Sequence, residues 1–102
     1  MLNKKSIDDA VLDAWDEVEF YQYQWKDEEV KDADGVSHGM RHDPRTHYGV
    51  IAQEIVAAFE RHGVNALDTG VVTFENDEYG VSYTSAMVLE MACMRRKLKA
   101  LN

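Results

Sequence analysis

Apolar positions along this chain recur with two different periods, and the switches between them mark its elements. Ile7, Val11, Ala14, Trp15 and Val18 fall three or four apart, so SIDDAVLDAWDEV predicts a short helix. Ser6 is its expected cap, with Asp8 and Asp9 in the first turn, where the helix dipole favours negative charge. Asp9, Asp13, Asp16 and Glu17 on its remaining surface read as solvated rather than catalytic. The period then drops to two. In VEFYQYQW, Glu19, Tyr21, Tyr23 and Trp25 alternate with Val18, Phe20, Gln22 and Gln24, which predicts a strand with a covered aromatic face.

From Lys26 to Arg45 no period survives, and Asp34-Gly35, Gly39 and Asp43-Pro44 supply turn formers. Such a stretch is too long for a tight connection, so an exposed arm or a disordered loop is expected there. Helical spacing returns in HYGVIAQEIVAAFERHG, residues 47–63, where Ile51, Ile55, Ala58 or Phe59, and His62 share a face with Val56 beside them. Gly49 allows close backbone approach at its entry, Gly63 stands where a left-handed C-cap belongs, and Gln53 is expected to satisfy a neighbouring backbone group. GVVTF (70–74) and NDEYGVSY (76–83) predict a hairpin feeding the last helix.

That helix carries the most regular pattern. Met87, Met91, Met94, Leu98 and Leu101 are spaced 4, 3, 4 and 3, a heptad seam over residues 83–102. Val88, Ala92 and Cys93 are expected to widen the stripe on its first half, while Arg95, Arg96, Lys97 and Lys99 fill the second. Ser82 or Thr84 is the expected cap, and the basic residues suit the negative pole of the dipole. A wide face that narrows to a seam predicts packing on the chain's own domain first and on sister chains afterwards. An ordinary terminal helix within a monomer is the plainer alternative.

Charge narrows the function classes. The formal charge is -8, and residues 1–35 hold eleven Asp or Glu against four Lys or Arg, so general nucleic-acid binding is not expected. No run reaches transmembrane length, which argues against a membrane partner. A single cysteine, Cys93, excludes an internal disulfide and reads as a buried, inert thiol. His38, His42 and His47 with Asp43 match no specific zinc spacing, so neither metal nor cofactor is expected. His47 with Ser82 or Ser85 could be drawn as a hydrolytic pair, but a core histidine and capping serines explain them better. The residues alone thus predict a small oligomeric α+β domain of assembly type: helix, strand, long arm-like loop, helix, small hairpin and terminal helix.

The succession LDAWDEVEFYQYQWKD, HYGVIAQEIVAAFERHG and YGVSYTSAMVLEMACMRRKLKAL resembles the C-terminal intramolecular chaperone domain of phage tailspikes, endosialidases and L-shaped tail fibres. The residues that carry the resemblance are Trp15, Trp25, His47, Gly49, Ile51, Ala52, Gln53, Tyr79, Gly80 and Tyr83, and it covers nearly the whole chain. It implies one chaperone domain over residues 1–102, a homotrimer with the 87–101 seam on its axis, and a helical trimeric core. It also implies an arm, residues 26–45, that touches the β-stranded or β-helical stalk of its own precursor, with His38, Arg41, His42 and Arg45 as contacts. Work in the host cytoplasm during virion assembly is implied too, followed by release through self-cleavage before a serine, assisted by a lysine. The serine-aspartate element of that cleavage is absent here: Ser6 is followed by Ile7, so no catalytic residue is assigned. Lys4 or Lys5 lies near the implied lysine, and Met1 is expected to stand in place of upstream sequence. A permanent trimeric tip that binds a host receptor or glycan through Tyr21, Tyr23, Trp25 and the 26–45 loop is the alternative. An independent hydrolase is the weakest third reading.

Overall fold

Trp15, Phe59, Ile55 and Val72 are the largest side chains fully withdrawn from solvent, and the elements arrange themselves around them. The computed structural model describes residues 2–102, apart from the side chains of Glu28 and Arg41; Met1 lies outside the described residues. In chain order the elements are α1 (Asp9–Trp15), β1 (Tyr21–Tyr23), β2 (Glu28–Lys31), β3 (Ser37–Arg41), β4 (His47–Gly49), α2 (Ala52–Arg61), a 3-10 turn (Ala66–Asp68), β5 (Val72–Glu75), β6 (Glu78–Val81) and α3 (Tyr83–Ala100). The architecture is α+β, as expected. Its strands form three separate antiparallel pairs, β1 with β4, β2 with β3 and β5 with β6. The chain divides into two compact units, one running through Glu19 and resuming at Val50–Asn102, the other Phe20–Gly49.

The first unit is built on helical faces. Leu12, Ala14, Trp15 and Val18 of α1 and its exit join Ile55, Ala58 and Phe59 of α2 and Ala86, Leu89 and Cys93 of α3 in one apolar cluster. Each large buried side chain contributes roughly 1.5–3 kcal/mol by leaving water. Two expectations for α1 fail. Asp8, not Ser6, precedes its first turn, without a side-chain cap bond. Ile7 keeps 39% of its surface exposed, while Leu12 is buried in its place. A helix of seven residues covers only two turns, so its inward face is chosen by its neighbours rather than by its own repeat.

α2 starts at Ala52, later than the 47–63 pattern suggests, because His47–Gly49 is spent on β4. Its end follows the expected chemistry. Gly63 has φ +74°, its N–H donates to Glu60 O at 3.0 Å, and Val64 N–H reaches back to Phe59 O at 2.9 Å. This double closure satisfies two carbonyls that the helix leaves open, in a conformation glycine adopts without a Cβ penalty. Gln53 lies exposed on the first turn and its side chain makes no hydrogen bond among the described residues, so the expected contact to a backbone group is absent.

β5 and β6 form the predicted hairpin, with Val72 opposite Val81 and Phe74 opposite Tyr79. Asn76 and Asp77 both have positive φ, 52° and 60°, which matches the strand twist through a two-residue turn. Gly80 faces Thr73 so closely that a Cβ there would lie 2.8 Å from its hydroxyl oxygen. Ser82 N–H then bonds Val71 O at 2.8 Å, and its hydroxyl accepts from Ser85 N–H at 3.4 Å. Ser82 is therefore the cap of α3, handing the hairpin directly to the helix.

The second unit corrects the sequence reading most. The predicted strand VEFYQYQW shrinks to Tyr21–Tyr23, and Val18 belongs to the core of the other unit. Residues 26–45, expected to lack regular structure, instead carry β2 and β3. The whole of Phe20–Gly49 is one long interrupted hairpin, with Tyr21 opposite Gly49, Tyr23 opposite His47 and Glu28 opposite Arg41. The register slips between Glu29 and Lys31, which is why no alternation is visible in the sequence there.

Candidate interaction surfaces

α3 has two apolar sides and uses only one. Ala86, Leu89 and Cys93, at spacings of three and four, face the domain's own core. Met87, Met91, Met94, Leu98 and Leu101 lie on another side and stay exposed, from 54% at Met94 to 82% at Leu101. Val88 and Ala92 lie beside the exposed row while Cys93 is buried in the core, so the three residues expected to widen one stripe are divided between two faces. Leu89 falls outside the heptad positions, though its spacing from Ala86 and Cys93 is a readable signal of a second face.

Acidic and basic residues lock this arrangement. Arg96 reaches from α3 to α1, its two terminal nitrogens 2.9 Å from Asp13 and 2.8 Å from Asp16. Lys97 adds a second contact to Asp16 at 3.1 Å. Burial works against the charged Asp16 carboxylate, but hydrogen bonds from Lys97 and Arg96 outweigh it and hold its pKa below the ordinary value. Glu17 pairs in the same way with Arg61 and His62 at the end of α2. The acids that read as merely solvated therefore clamp α1 to α2 and α3. Trp15 donates its indole N–H to Glu90 Oε1 at 3.0 Å, satisfying the one polar side-chain atom of the largest buried residue. The Cys93 thiol, raised to about 11 chiefly by burial, stays protonated at neutral pH and chemically quiet.

Beside the exposed stripe runs a groove of about 580 Å3, floored by Ile7, Leu12, Val88, Met91 and Ala92, with Arg95, Arg96 and Lys99 among its walls. Ser6 also lines it; it neither caps a helix nor meets a partner that would activate its hydroxyl, among the described residues.

The Phe20–Gly49 hairpin is held differently. None of its described side chains is buried. Tyr23 stacks on His47 at a centroid distance of 5.6 Å, and Trp25 meets both edge-on. Trp25 remains 61% exposed, so the expected covering of the aromatic face is not found among the described residues of this unit. Asp43 organises the return: it accepts from the Arg45 backbone and side chain at 3.0 and 2.9 Å, and meets His47 at 3.1 Å. Those bonds, Arg45 first, hold its carboxyl far below the ordinary carboxylate range. Asp32 shapes the tip by accepting from the N–H groups of Asp34 and Val36, both at 2.9 Å, and it also meets His38. His42 pairs with Asp27.

The residues named as arm contacts thus sit on one hairpin, with His38, His42 and Arg45 each engaged by a local carboxylate; the Arg41 side chain lies outside the described residues. The three histidines take three different partners rather than converging. His47 is turned to Asp43, and Ser82 and Ser85 serve the α3 cap. Among the residues of the resemblance, Trp15 and Ala52 are core, Ile51 precedes α2, Tyr79 and Gly80 lie in β6, and Tyr83 opens α3 half-exposed. Among the described residues no helix is long and apolar enough to cross a membrane.

Comparison with known proteins places this arrangement. The family described as chaperone of endosialidase matches residues 2–64. The tail spike protein of an Escherichia phage is 41% identical over 94% of this chain, which is 11% of that protein. The tail spike protein of Escherichia virus K5 is 36% identical over 92% of this chain and 17% of its own length. Depolymerase 1, capsule K3-specific, of Klebsiella phage KP32 is 33% identical over 92% of this chain and 10% of its own length. The chain therefore spans only 10–17% of the length of these curated relatives. A solved structure described as a novel intramolecular chaperon shares 35% identity at a TM-score of 0.70, covering 100% of this chain and 98% of that one. With the family matched over well more than half its residues and this fold shared end to end, the chain belongs to the chaperone of endosialidase family, the intramolecular chaperone domains of phage tailspike and endosialidase precursors.

Proposed function

We propose that residues 1–102 act as a homotrimeric chaperone domain that aligns three precursor chains through residues 83–102. The observation that carries this reading is the row Met87, Met91, Met94, Leu98 and Leu101, left exposed on a helix whose other side is already spent on its own core. Methionine fills irregular gaps but specifies geometry weakly, so other contacts must fix the copy number. Registering three chains at one end raises their effective concentration at the next stalk segment, where slow non-local strand pairing needs a template. The 26–45 arm engages that stalk. Its support is the hairpin's lack of a buried core and strands that each pair on one side only, which leaves edges and aromatic rings available. The work is done in the host cytoplasm during virion assembly. The domain is then released when the precursor cleaves itself with a serine-lysine dyad on the N-terminal side, leaving the stalk kinetically trapped in the virion tail.

Two measurements test this. Sedimentation equilibrium of the 102-residue chain is expected to give a trimer, and Met94→Asp, which sets like charges together on the axis, is expected to abolish it. A monomer for the unchanged chain sinks the reading. Deleting part of 26–45 is expected to leave the isolated domain trimeric but lower the yield of mature stalk from a full-length precursor. If that deletion leaves the yield intact and removes attachment to host cells, a permanent receptor-binding tip is the better reading.

A further inference from the structure

Three copies around one axis run α3 in parallel, but the exposed row does not say which flanking side chains hold their register. We infer that Glu90 of each copy pairs with Arg95 of the next and so holds the register of the helices. This rests on the self-association proposed above and assigns its polar determinant.

A seam at 87, 91, 94, 98 and 101 leaves two flanks. Tyr83, Glu90 and Lys97 lie along one, Val88 and Arg95 along the other. In a parallel bundle each flank faces the opposite flank of the next helix, and such flanking charges select partner and orientation. In-register packing then sets Tyr83 beside Val88 and Glu90 beside Arg95 of the neighbouring copy. Both pairs are complementary, one apolar and one ionic. Within a single helix Glu90 and Arg95 cannot meet, because five residues rotate them onto different sides.

The charges already spent inside the chain point the same way. Arg96 is held by Asp13 and Asp16, and Lys97 by Asp16. Arg95 is exposed and forms no ion pair among the described residues. Glu90 is half-buried beside the seam, and Trp15 donates to one of its oxygens, so α1 fixes where that carboxylate stands. An antiparallel pair of α3 helices would instead bring Glu90 to Lys97, which Asp16 already occupies, and would press Arg95 against Val88. The Val88 flank is also hollow. Its groove, floored by Ile7, Leu12, Val88, Met91 and Ala92, offers the Tyr83 ring of the next copy an apolar seat.

The test is a double-mutant cycle read by sedimentation equilibrium on the whole chain. Glu90→Gln keeps an amide oxygen for Trp15 while removing the charge, and Arg95→Gln removes its partner. Each is expected to weaken association, roughly fivefold per pair, with the double variant no weaker than either single. The difference should shrink in high salt. Additive losses overturn the pair, and coupling of Glu90→Gln with Lys97→Gln in its place overturns the parallel arrangement. Should Glu90→Gln disturb the near-ultraviolet signal of Trp15, Arg95→Glu decides alone. It sets carboxylate against carboxylate and must cost more than Arg95→Gln; an equal loss overturns the pair. An unchanged chain that stays monomeric removes the self-association reading itself, an outcome distinct from additive losses in a chain that assembles.

Discussion

The two tryptophans of this chain are ten residues apart and have opposite fates. Trp15 is 1% exposed, its indole N–H satisfied by Glu90, while Trp25 is 61% exposed and meets the rings of Tyr23 and His47. They stand for their units. The helical unit has an apolar core, reinforced at its surface by the Asp16 and Glu17 clamps. The hairpin has none among its described residues, and is held by backbone ladders, the ring contacts of Tyr23, Trp25 and His47, and carboxylates that gather neighbouring N–H, guanidinium and imidazole groups. Isolated two-stranded hairpins are marginal in water. A hairpin without a core gains order most readily by contact, as the proposed stalk-facing arm requires.

The sharpest break in this comparison comes from the tryptophans themselves. Trp15→Ala is expected to destabilise the helical unit by about 3–5 kcal/mol, through lost burial and the cavity left behind. Trp25→Ala is expected to change global stability by less than about 0.5 kcal/mol, as exposed substitutions do. Urea unfolding of both variants checks this, and equal losses would erase the distinction between the units. A smaller effect is expected at the α3 cap: Ser82→Ala should cost about 1 kcal/mol in the same assay. The corresponding loss in the hairpin, Asp43→Asn, should leave the unfolding midpoint unchanged and speed hydrogen exchange at Arg45 and in its neighbouring strands.

Acid separates the units more finely. Asp16 in one unit and Asp32 and Asp43 in the other all titrate below their ordinary value of 3.8. A depressed folded-state pKa means that the stabilisation is fully present above 3.8 and is lost as pH falls through the lower folded value. Exchange protection of both units should therefore hold from neutral pH to about 4 on this account. Below it the hairpin should lose protection first, because the helical unit keeps its apolar core after Asp16 is protonated. Simultaneous loss, followed by NMR, would show that the clamp and not the core holds the helices.

Much of this was legible in the residues. Helical spacing located α1, α2 and α3, the Asn76-Asp77 turn predicted the β5–β6 hairpin, and Gly63 announced the end of α2, because each depends on contacts within a few residues. The seam of α3 was equally plain as a pattern, and three ordered motifs carried the resemblance to the chaperone family. Tertiary structure decided what local pattern could not. It chose Leu12 over Ile7 and Leu89 over Val88 for the core, since a helix with apolar residues on several sides is turned by what it packs against. It converted residues 26–45 from a loop into β2 and β3, because strand pairing depends on a distant partner and a bulge hides the alternation. It also made structural clamps of Asp13, Asp16 and Glu17, whose cationic partners lie some 44 to 83 residues further along the chain and become neighbours only when the helices meet.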